Sequence, residues 1–175
     1  GMFGGSYSAA VGINNHGQIV GNYIIDDTVH GYFWQGGGLT DLGSLVYPEE
    51  INDQGQVVGG FQRYIPEAEG VYLTAFLWEN GNITHLEVLG YPARAYDINN
   101  KDQVVGYSAT GNWGALLWKN HVRINLNTLL DSSTIFPYIW TLVSASAIND
   151  KGEIVSRGVD LNYGSTQHEF LLRPK

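Results

Sequence analysis

The chain of 175 residues contains no cysteine, and this absence excludes several kinds of chemistry. Disulfide bonds, a thiolate nucleophile and cysteine-based zinc sites all require that residue. Positive charge is also scarce: nine lysine and arginine residues stand against 17 aspartate and glutamate residues, which gives a net charge of −8. Because such a surface repels phosphate groups, we expect no nucleic acid partner.

Long hydrophobic runs are absent as well. No apolar stretch approaches the ~20 residues of a membrane helix, so we expect no membrane insertion. The opening residues, GMFGG, do not form a signal peptide. What the chain has in plenty is glycine (23 residues) and aromatic side chains (13%), whereas only 15% of its residues are charged. This composition favours one domain, residues 1–175, made of short strands and tight turns.

One short motif occurs four times. Its copies read GINNHGQIVG, EINDQGQVVG, DINNKDQVVG and AINDKGEIVS, and they begin at Gly12, Glu50, Asp97 and Ala147. In every copy a valine follows the motif isoleucine by seven positions. A second motif ends in Trp34, Trp78, Trp118 and Leu172, and in the first three copies a leucine follows the tryptophan by eight positions. The remaining connections vary in length. Each repeat therefore has two fixed and two variable connections.

The fixed connections predict tight hairpins. In the first motif, Asn and Asp side chains can bond to nearby backbone, and Gly17, Gly55 and Gly152 supply the positive φ that closes the turn. The third copy has Asp102 there, one of the few other residues that tolerate this conformation. Four short strands per repeat follow: one that ends at the isoleucine, and three through segments such as QIVG, AFLW and LTDL.

We therefore predict an all-β, β-propeller-like fold of four repeats with about four antiparallel strands each. The repeats span about residues 6–45, 46–90, 91–130 and 139–175. The fourth repeat stops before its own fourth strand, so we expect residues 1–5 to complete it and close a four-bladed ring. The alternative is a larger ring, in which this chain is a fragment or one half of a dimer. The periodic Trp34, Trp78 and Trp118 should pack between blades.

The segments GGSYSAAVGINNHGQIVG, HGYFW…LTDLGSL and TAFLWENGNITHL resemble the HAF repeat of predicted bacterial extracellular proteins. The resemblance covers nearly the whole chain, although its pattern changes at Gly114 and Leu172. It implies a propeller-like architecture and an extracellular or periplasmic location. It implies no reaction, and so it supplies no active site.

The variable connections should gather on one face of the propeller, where rigid repeat scaffolds usually bind their partners. Their aromatic side chains suit a protein or glycan ligand. Alternatively, these rings fold back onto the blades. Six such residues stand outside the repeated positions and are the candidate ligand-binding residues: Tyr64, Tyr72, Trp113, Tyr138, Trp140 and Tyr163.

No catalytic or cofactor motif is present. The sequence contains no HExxH, no G-x-S-x-G and no phosphate-binding loop, and His30 and His168 share one repeat position, which indicates a structural role. Glu50 and Asp97 precede the motif isoleucine in two copies. They could line an axial channel and hold Ca²⁺ or another cation, or they could be solvated or cap turns.

The predicted function is a non-catalytic interaction module that binds through the variable-loop face. Its oligomeric state stays open. One alternative is a purely structural segment of a longer repeat array. The other is a carbohydrate-active enzyme, a hydrolase or lyase, which needs two acids at the loop face ~5 to 9.5 Å apart. The candidate acids are Asp26, Asp27, Glu67, Glu69, Asp131 and Asp160.

Overall fold

A computed structural model describes residues 5–66, 69–86, 92–109, 114–120, 122–130, 140–160 and 166–174. Most residues in these ranges lie in β-strands, and one short 3₁₀ helix is present at Leu126–Leu129. None of their helices has the length and apolar character to cross a membrane.

The strands form four antiparallel sheets, and within each sheet they follow chain order. The first sheet contains β1 (Tyr7–Ile13), β2 (Ile19–Ile25), β3 (Thr28–Gln35) and β4 (Gly38–Ser44). The second contains β5 (Val46–Ile51), β6 (Val57–Ile65), β7 (Gly70–Glu79) and β8 (Asn82–His85). The third contains β9 (Ala93–Ile98), β10 (Gln103–Ser108), β11 (Gly114–Lys119) and β12 (Val122–Asn125). The fourth contains β13 (Trp140–Ile148), β14 (Ile154–Asp160) and β15 (Gln167–Leu172). The predicted all-β fold of four repeated sheets is confirmed, with three described strands in the last sheet.

The motif turns have the predicted backbone conformation. Gly17, Gly55 and Gly152 have φ angles of 72°, 78° and 78°, and Asp102 replaces glycine with a φ of 57°. The asparagine after each motif isoleucine holds the turn closed: Asn14 Oδ1, for example, accepts hydrogen bonds from the backbone N–H groups two and four residues later, both at 3.0 Å. This local bonding explains why the same turn forms in all four copies.

A β-bulge interrupts the first strand of every sheet near the motif isoleucine. Next to it, the glycine that follows the two apolar residues of the second strand lies very close to the first strand. A Cβ atom on Gly21, Gly59 or Gly106 would lie 2.0 to 2.1 Å from a carbonyl oxygen of that strand. Ser156 occupies this position in the fourth sheet, whose first strand has a second bulge, and its hydroxyl donates to the Ser144 carbonyl at 2.9 Å.

Consecutive sheets pack face to face. We call the face of a sheet that looks toward the preceding sheet its front face, and the opposite face its back face. Three buried hydrophobic clusters join the back face of one sheet to the front face of the next. Trp78 and Trp118 are buried in two of these clusters, as predicted. Trp34 occupies the same position on the first sheet but is only half-buried, because no described sheet covers that front face.

The closed four-bladed ring is not found in the described part of the chain. None of its three hydrophobic clusters contains residues of both the first and the fourth sheet. At the start of the described chain, the Ser6 N–H donates to the Ile24 carbonyl at 3.1 Å, so this segment lies along the first sheet. Residues 1–4 lie outside the described ranges, and their pairing with the last sheet stays a prediction.

Candidate functional site

The fixed and the variable connections lie at opposite ends of the sheets. In an antiparallel sheet whose strands follow chain order, the turns after the first and third strands share one end, and the turn after the second strand lies at the other. We call these the motif end and the loop end. The two ends differ in how many of their polar side chains form hydrogen bonds within the protein.

At the motif end, asparagine side chains link successive sheets. Asn14 Nδ2 donates to the Asn52 carbonyl at 2.9 Å, Asn52 Nδ2 donates to the Asn99 carbonyl at 3.2 Å, and Asn99 Nδ2 donates to the Asn149 carbonyl at 2.9 Å. We call this row of side chains the amide ladder. It holds the four motif turns side by side and leaves these amide groups engaged within the protein.

A second row runs beside the amide ladder, and its members alternate between Asn15, Asp53, Asn100 and Asp150. Asn15 donates to Asp53 from its backbone N–H at 3.0 Å and from its side chain at 2.9 Å. Asn100 joins Asp53 to Asp150. Its side-chain nitrogen donates to both carboxylates, its backbone N–H donates to Asp150 at 2.8 Å, and its side-chain oxygen accepts from the Asp53 N–H at 2.8 Å. These hydrogen bonds lower the pKa of Asp53, chiefly through the Asn15 side chain, and that of Asp150, chiefly through the Asn100 backbone. We call this row the Asn–Asp ladder.

The four motif turns line a cleft of about 330 Å³, and Glu50 and Asp97 lie in its wall. Burial is the main cause that raises the pKa of both carboxyl groups. Gly12 holds the equivalent position in the first sheet. A Cβ atom there would lie 2.8 Å from Glu50 Oε1, so glycine leaves room for the carboxyl group.

Both carboxyl groups already accept hydrogen bonds from the backbone. Glu50 accepts from the Ile51 N–H at 2.9 Å, and Asp97 accepts from the N–H groups of Ile98 and Ile148, each at 2.7 Å. This is the capping role that the sequence left as an alternative. Within the described ranges, no three His, Cys, Asp or Glu side chains are grouped so that they could hold a metal ion. A cation between Glu50 and Asp97 stays a prediction.

At the loop end, the β6–β7 hairpin carries Tyr64, the most exposed of the candidate aromatic residues that the structure describes. Tyr64 and Val71 are cross-strand partners, so their side chains project from the same face of the hairpin, and they are 61% and 56% exposed. Tyr72 pairs with Arg63 and projects from the other face. Its ring lies over Gly70, where a Cβ atom would be 2.8 Å from the ring.

The other candidate aromatic residues are placed differently. Trp140 is half-buried on the fourth sheet, where its ring makes edge contacts with His168 at 4.9 Å and Phe170 at 5.2 Å between ring centroids. It therefore folds back onto its own sheet, which is the alternative that the sequence left open. Trp113, Tyr138 and Tyr163 lie outside the described residues.

The four described acids among those considered for a hydrolase or lyase belong to three different sheets. Asp26 and Asp27 form the turn after β2, Glu69 lies in the turn after β6, and Asp160 is buried at the end of β14. Glu67 and Asp131 lie outside the described residues. No observation in the described chain joins two of these acids into a site.

Both histidines at the shared repeat position contact side chains of their own sheet. His30 Nδ1 lies 3.1 Å from a carboxylate oxygen of Asp41, and its ring packs against Tyr23 with 5.3 Å between centroids. His168 packs against Trp140. These contacts agree with the structural role that their shared position indicates.

The two ladders are the feature that sequence analysis missed. Their signal was present, because asparagine follows the motif isoleucine in all four copies and the next residue alternates between Asn and Asp. An alternation of this kind places a donor beside an acceptor at every junction between sheets. No protein-family model matches the chain, and no curated protein matches it. The resemblance to the HAF repeat stays a prediction.

Proposed function

We propose that the chain is a non-catalytic interaction module that binds a protein partner through its loop end, with Tyr64 and Val71 at the centre of the contact. One observation carries the proposal: in the longest hairpin among the described strands, the Tyr64–Val71 pair next to the loop is more than half exposed. The propeller-like arrangement and the extracellular or periplasmic location implied by the HAF-repeat resemblance are part of the same proposal.

The chemistry of this pair suits a protein surface. A tyrosine ring buries a large area at a low cost in side-chain entropy, and its hydroxyl can bond at the rim of a contact. The neighbouring valine adds an apolar surface without polar groups. Sugars are usually held by a flat aromatic ring together with several polar groups, whereas the Tyr64–Val71 face pairs its ring with an aliphatic side chain. A protein partner is therefore favoured over a glycan.

The contrast with the motif end supports the choice of surface. There the amide ladder and the Asn–Asp ladder use their donors and acceptors between the sheets, and the carboxyl groups of Glu50 and Asp97 cap backbone N–H groups. At the loop end the apolar side chains of Tyr64 and Val71 gain their burial only from a partner.

The test is a selection from a displayed random-peptide library with the wild-type chain as bait, beside a glycan array. Enriched peptides are then measured against Tyr64→Ser, Val71→Ser and a control, Val122→Ser. Val122 is a matched control because it is 60% exposed but starts β12, at the motif end. We expect Tyr64→Ser to weaken peptide binding at least tenfold, since buried tyrosines are frequent hot spots.

Val71→Ser should weaken binding less than Tyr64→Ser, and Val122→Ser should leave it unchanged. Peptides that bind all three variants equally well, or a selection without enrichment, would overturn the proposal. If the wild type binds on the glycan array and Tyr64→Ser does not, the ligand of this site is a glycan rather than a protein.

A further inference from the structure

The motif isoleucine has the same sequence context in all four repeats but not the same environment. Ile51, Ile98 and Ile148 are 4%, 4% and 8% exposed, because each lies on a front face that a preceding sheet covers. Ile13, the equivalent residue of the first sheet, is 66% exposed. The front face of the first sheet thus carries the isoleucine of a buried interface, but no described sheet covers it.

The back face of the fourth sheet shows the same exception. Val155 and Leu171 are cross-strand partners on this face, and they are 37% and 53% exposed. Their equivalents in the first three sheets are all between 0% and 9% exposed. These equivalents are the pairs Val20 and Phe33, Val58 and Leu77, and Val105 and Leu117. Within the described residues, the row of sheets therefore ends in one uncovered face on either side.

The two uncovered faces carry the residue types of the two halves of one interface. Three times within the chain, a back face with this Val pair packs on a front face that carries the motif isoleucine. We infer that a second copy of this chain covers them, with the front face of its first sheet on the back face of the fourth sheet. The occupant is thus identified by an interface that the protein already forms three times.

The Asn–Asp ladder supports the same partner independently of the apolar contacts. It begins with Asn15 on the first sheet and ends with Asp150 on the fourth. A second copy placed in continuation of the row would set its Asn15 beside Asp150, so the alternation would continue without a like-charge contact. The amide ladder would continue as well, because Asn14 of the second copy offers its carbonyl to the Asn149 side chain, as Asn52 does to Asn14.

The proposed contact joins different surfaces on the two copies, so two copies can form two such contacts and close on each other. The closed dimer would contain eight sheets. This number lies within the typical range of roughly four to eight blades for β-propellers. The proposal concerns the ends of the row and does not depend on binding at the loop end.

The test uses sedimentation velocity on the full chain, with one lysine placed on each face. Ile13→Lys changes the front face of the first sheet, and Leu171→Lys changes the back face of the fourth. Both side chains are more than half exposed, so each variant should fold. We expect the wild type to sediment as a dimer of the 19.3 kDa chain and each variant alone as a monomer, with dimerisation at least tenfold weaker.

Mixing the two variants distinguishes the proposed contact, front face on back face, from a contact between two like faces. Ile13→Lys keeps an intact back face and Leu171→Lys keeps an intact front face, so the mixture should form a heterodimer with one joint. A control, Val122→Lys, should dimerise like the wild type, since Val122 lies on neither face. A wild type that stays monomeric at all concentrations would overturn the proposal and favour closure within one chain. Variants that remain dimeric alone would overturn it by showing contact between like faces.

Discussion

The inner and the outer sheets differ in their neighbours more than in their sequences. In the part of the chain that the structure describes, the second and third sheets are covered on both faces, whereas the first and fourth are each covered on one. Ile13 and Ile51 follow the same pattern of strand, bulge and turn, yet only Ile51 is buried. The repeat motif therefore determines the strand and its turn, and the adjoining sheet determines how much stability the side chain contributes.

The largest effect in this comparison should come from tryptophan. Trp118 is buried between the second and third sheets, and Trp34 is the equivalent residue on the uncovered front face. Trp118→Ala should lower the free energy of unfolding by about 3–5 kcal/mol, because it leaves a large cavity in a packed cluster. Trp34→Ala should cost less than about 2 kcal/mol, since much of its ring is already in water. Urea denaturation followed by far-UV circular dichroism measures both.

The tryptophan measurements should be made at a protein concentration low enough to keep the chain monomeric, because a second copy would cover Trp34. If the loss of unfolding free energy caused by Trp34→Ala grows as the protein concentration is raised, the comparison becomes sharper, because dimerisation then buries the ring. Equal losses for the two variants in the monomer would contradict it, and would mean that the front face of the first sheet is covered within the chain.

The next effect concerns the amide ladder. Asn52 is buried: it accepts from the N–H groups of Gln54 and Gln56 and donates to the Asn99 carbonyl. Asn52→Ala leaves these groups without a partner inside the protein and should cost about 2–3 kcal/mol. Asn149 makes the same turn contacts at the exposed end of the ladder.

Asn149→Ala should cost less than about 1 kcal/mol, because water can replace its contacts. The free energy of unfolding from the same urea titration gives the difference between the two asparagines. If Asn149→Ala lowered the free energy of unfolding as much as Asn52→Ala, the asparagines would stabilise the protein only through their own turns. The hydrogen bonds between sheets would then contribute nothing to stability.

The local structure was open to sequence analysis because it depends on short-range chemistry. The turn at Asn14–Gln18 needs only an Asx side chain and a residue that tolerates positive φ, and both can be identified from the sequence. Even the replacement of glycine by Asp102 could be interpreted correctly. The strands follow from the fixed spacing between these turns, and so four antiparallel sheets could be predicted.

What could not be predicted depends on neighbours that the repeat pattern does not specify. The sequence assigned Trp34 to an interface by its period, but burial requires a sheet on the other side. Trp140 was a candidate for ligand binding, and its contact with Phe170 depends on the path of β13 and β15. The candidate site was thus partly predicted: Tyr64 is exposed at the loop end, while the Val71 beside it follows only from the strand register.

The smallest effect is a pair of opposite pH dependences at Glu50 and Glu153, which both lie at the motif end. Burial raises the pKa of Glu50 above that of a glutamate in water, so its ionisation opposes folding. The pKa of Glu50 is thus higher in the folded protein than in the unfolded chain. Its favourable contribution to folding is fully present below the pKa of the unfolded chain, and it is lost as the pH rises through the pKa of the folded protein. Glu50→Gln should therefore unfold like the wild type in acid and be more stable at pH 7, with the Ile51 N–H still bonded to the amide oxygen.

Glu153, in the last motif turn, provides the matched control of opposite sign. Hydrogen bonds from Asn149 and then Arg173 lower its pKa, so its ionised form supports folding, and this contribution is lost as the pH falls through the lowered value. Glu153→Gln should be less stable than the wild type at neutral pH and match it in acid. Thermal unfolding of the three proteins between acid and neutral pH measures both differences. Curves that shift in the same direction would mean that Glu50 is solvated like a surface carboxylate, and the cleft would then be wide open to water rather than walled by four packed turns.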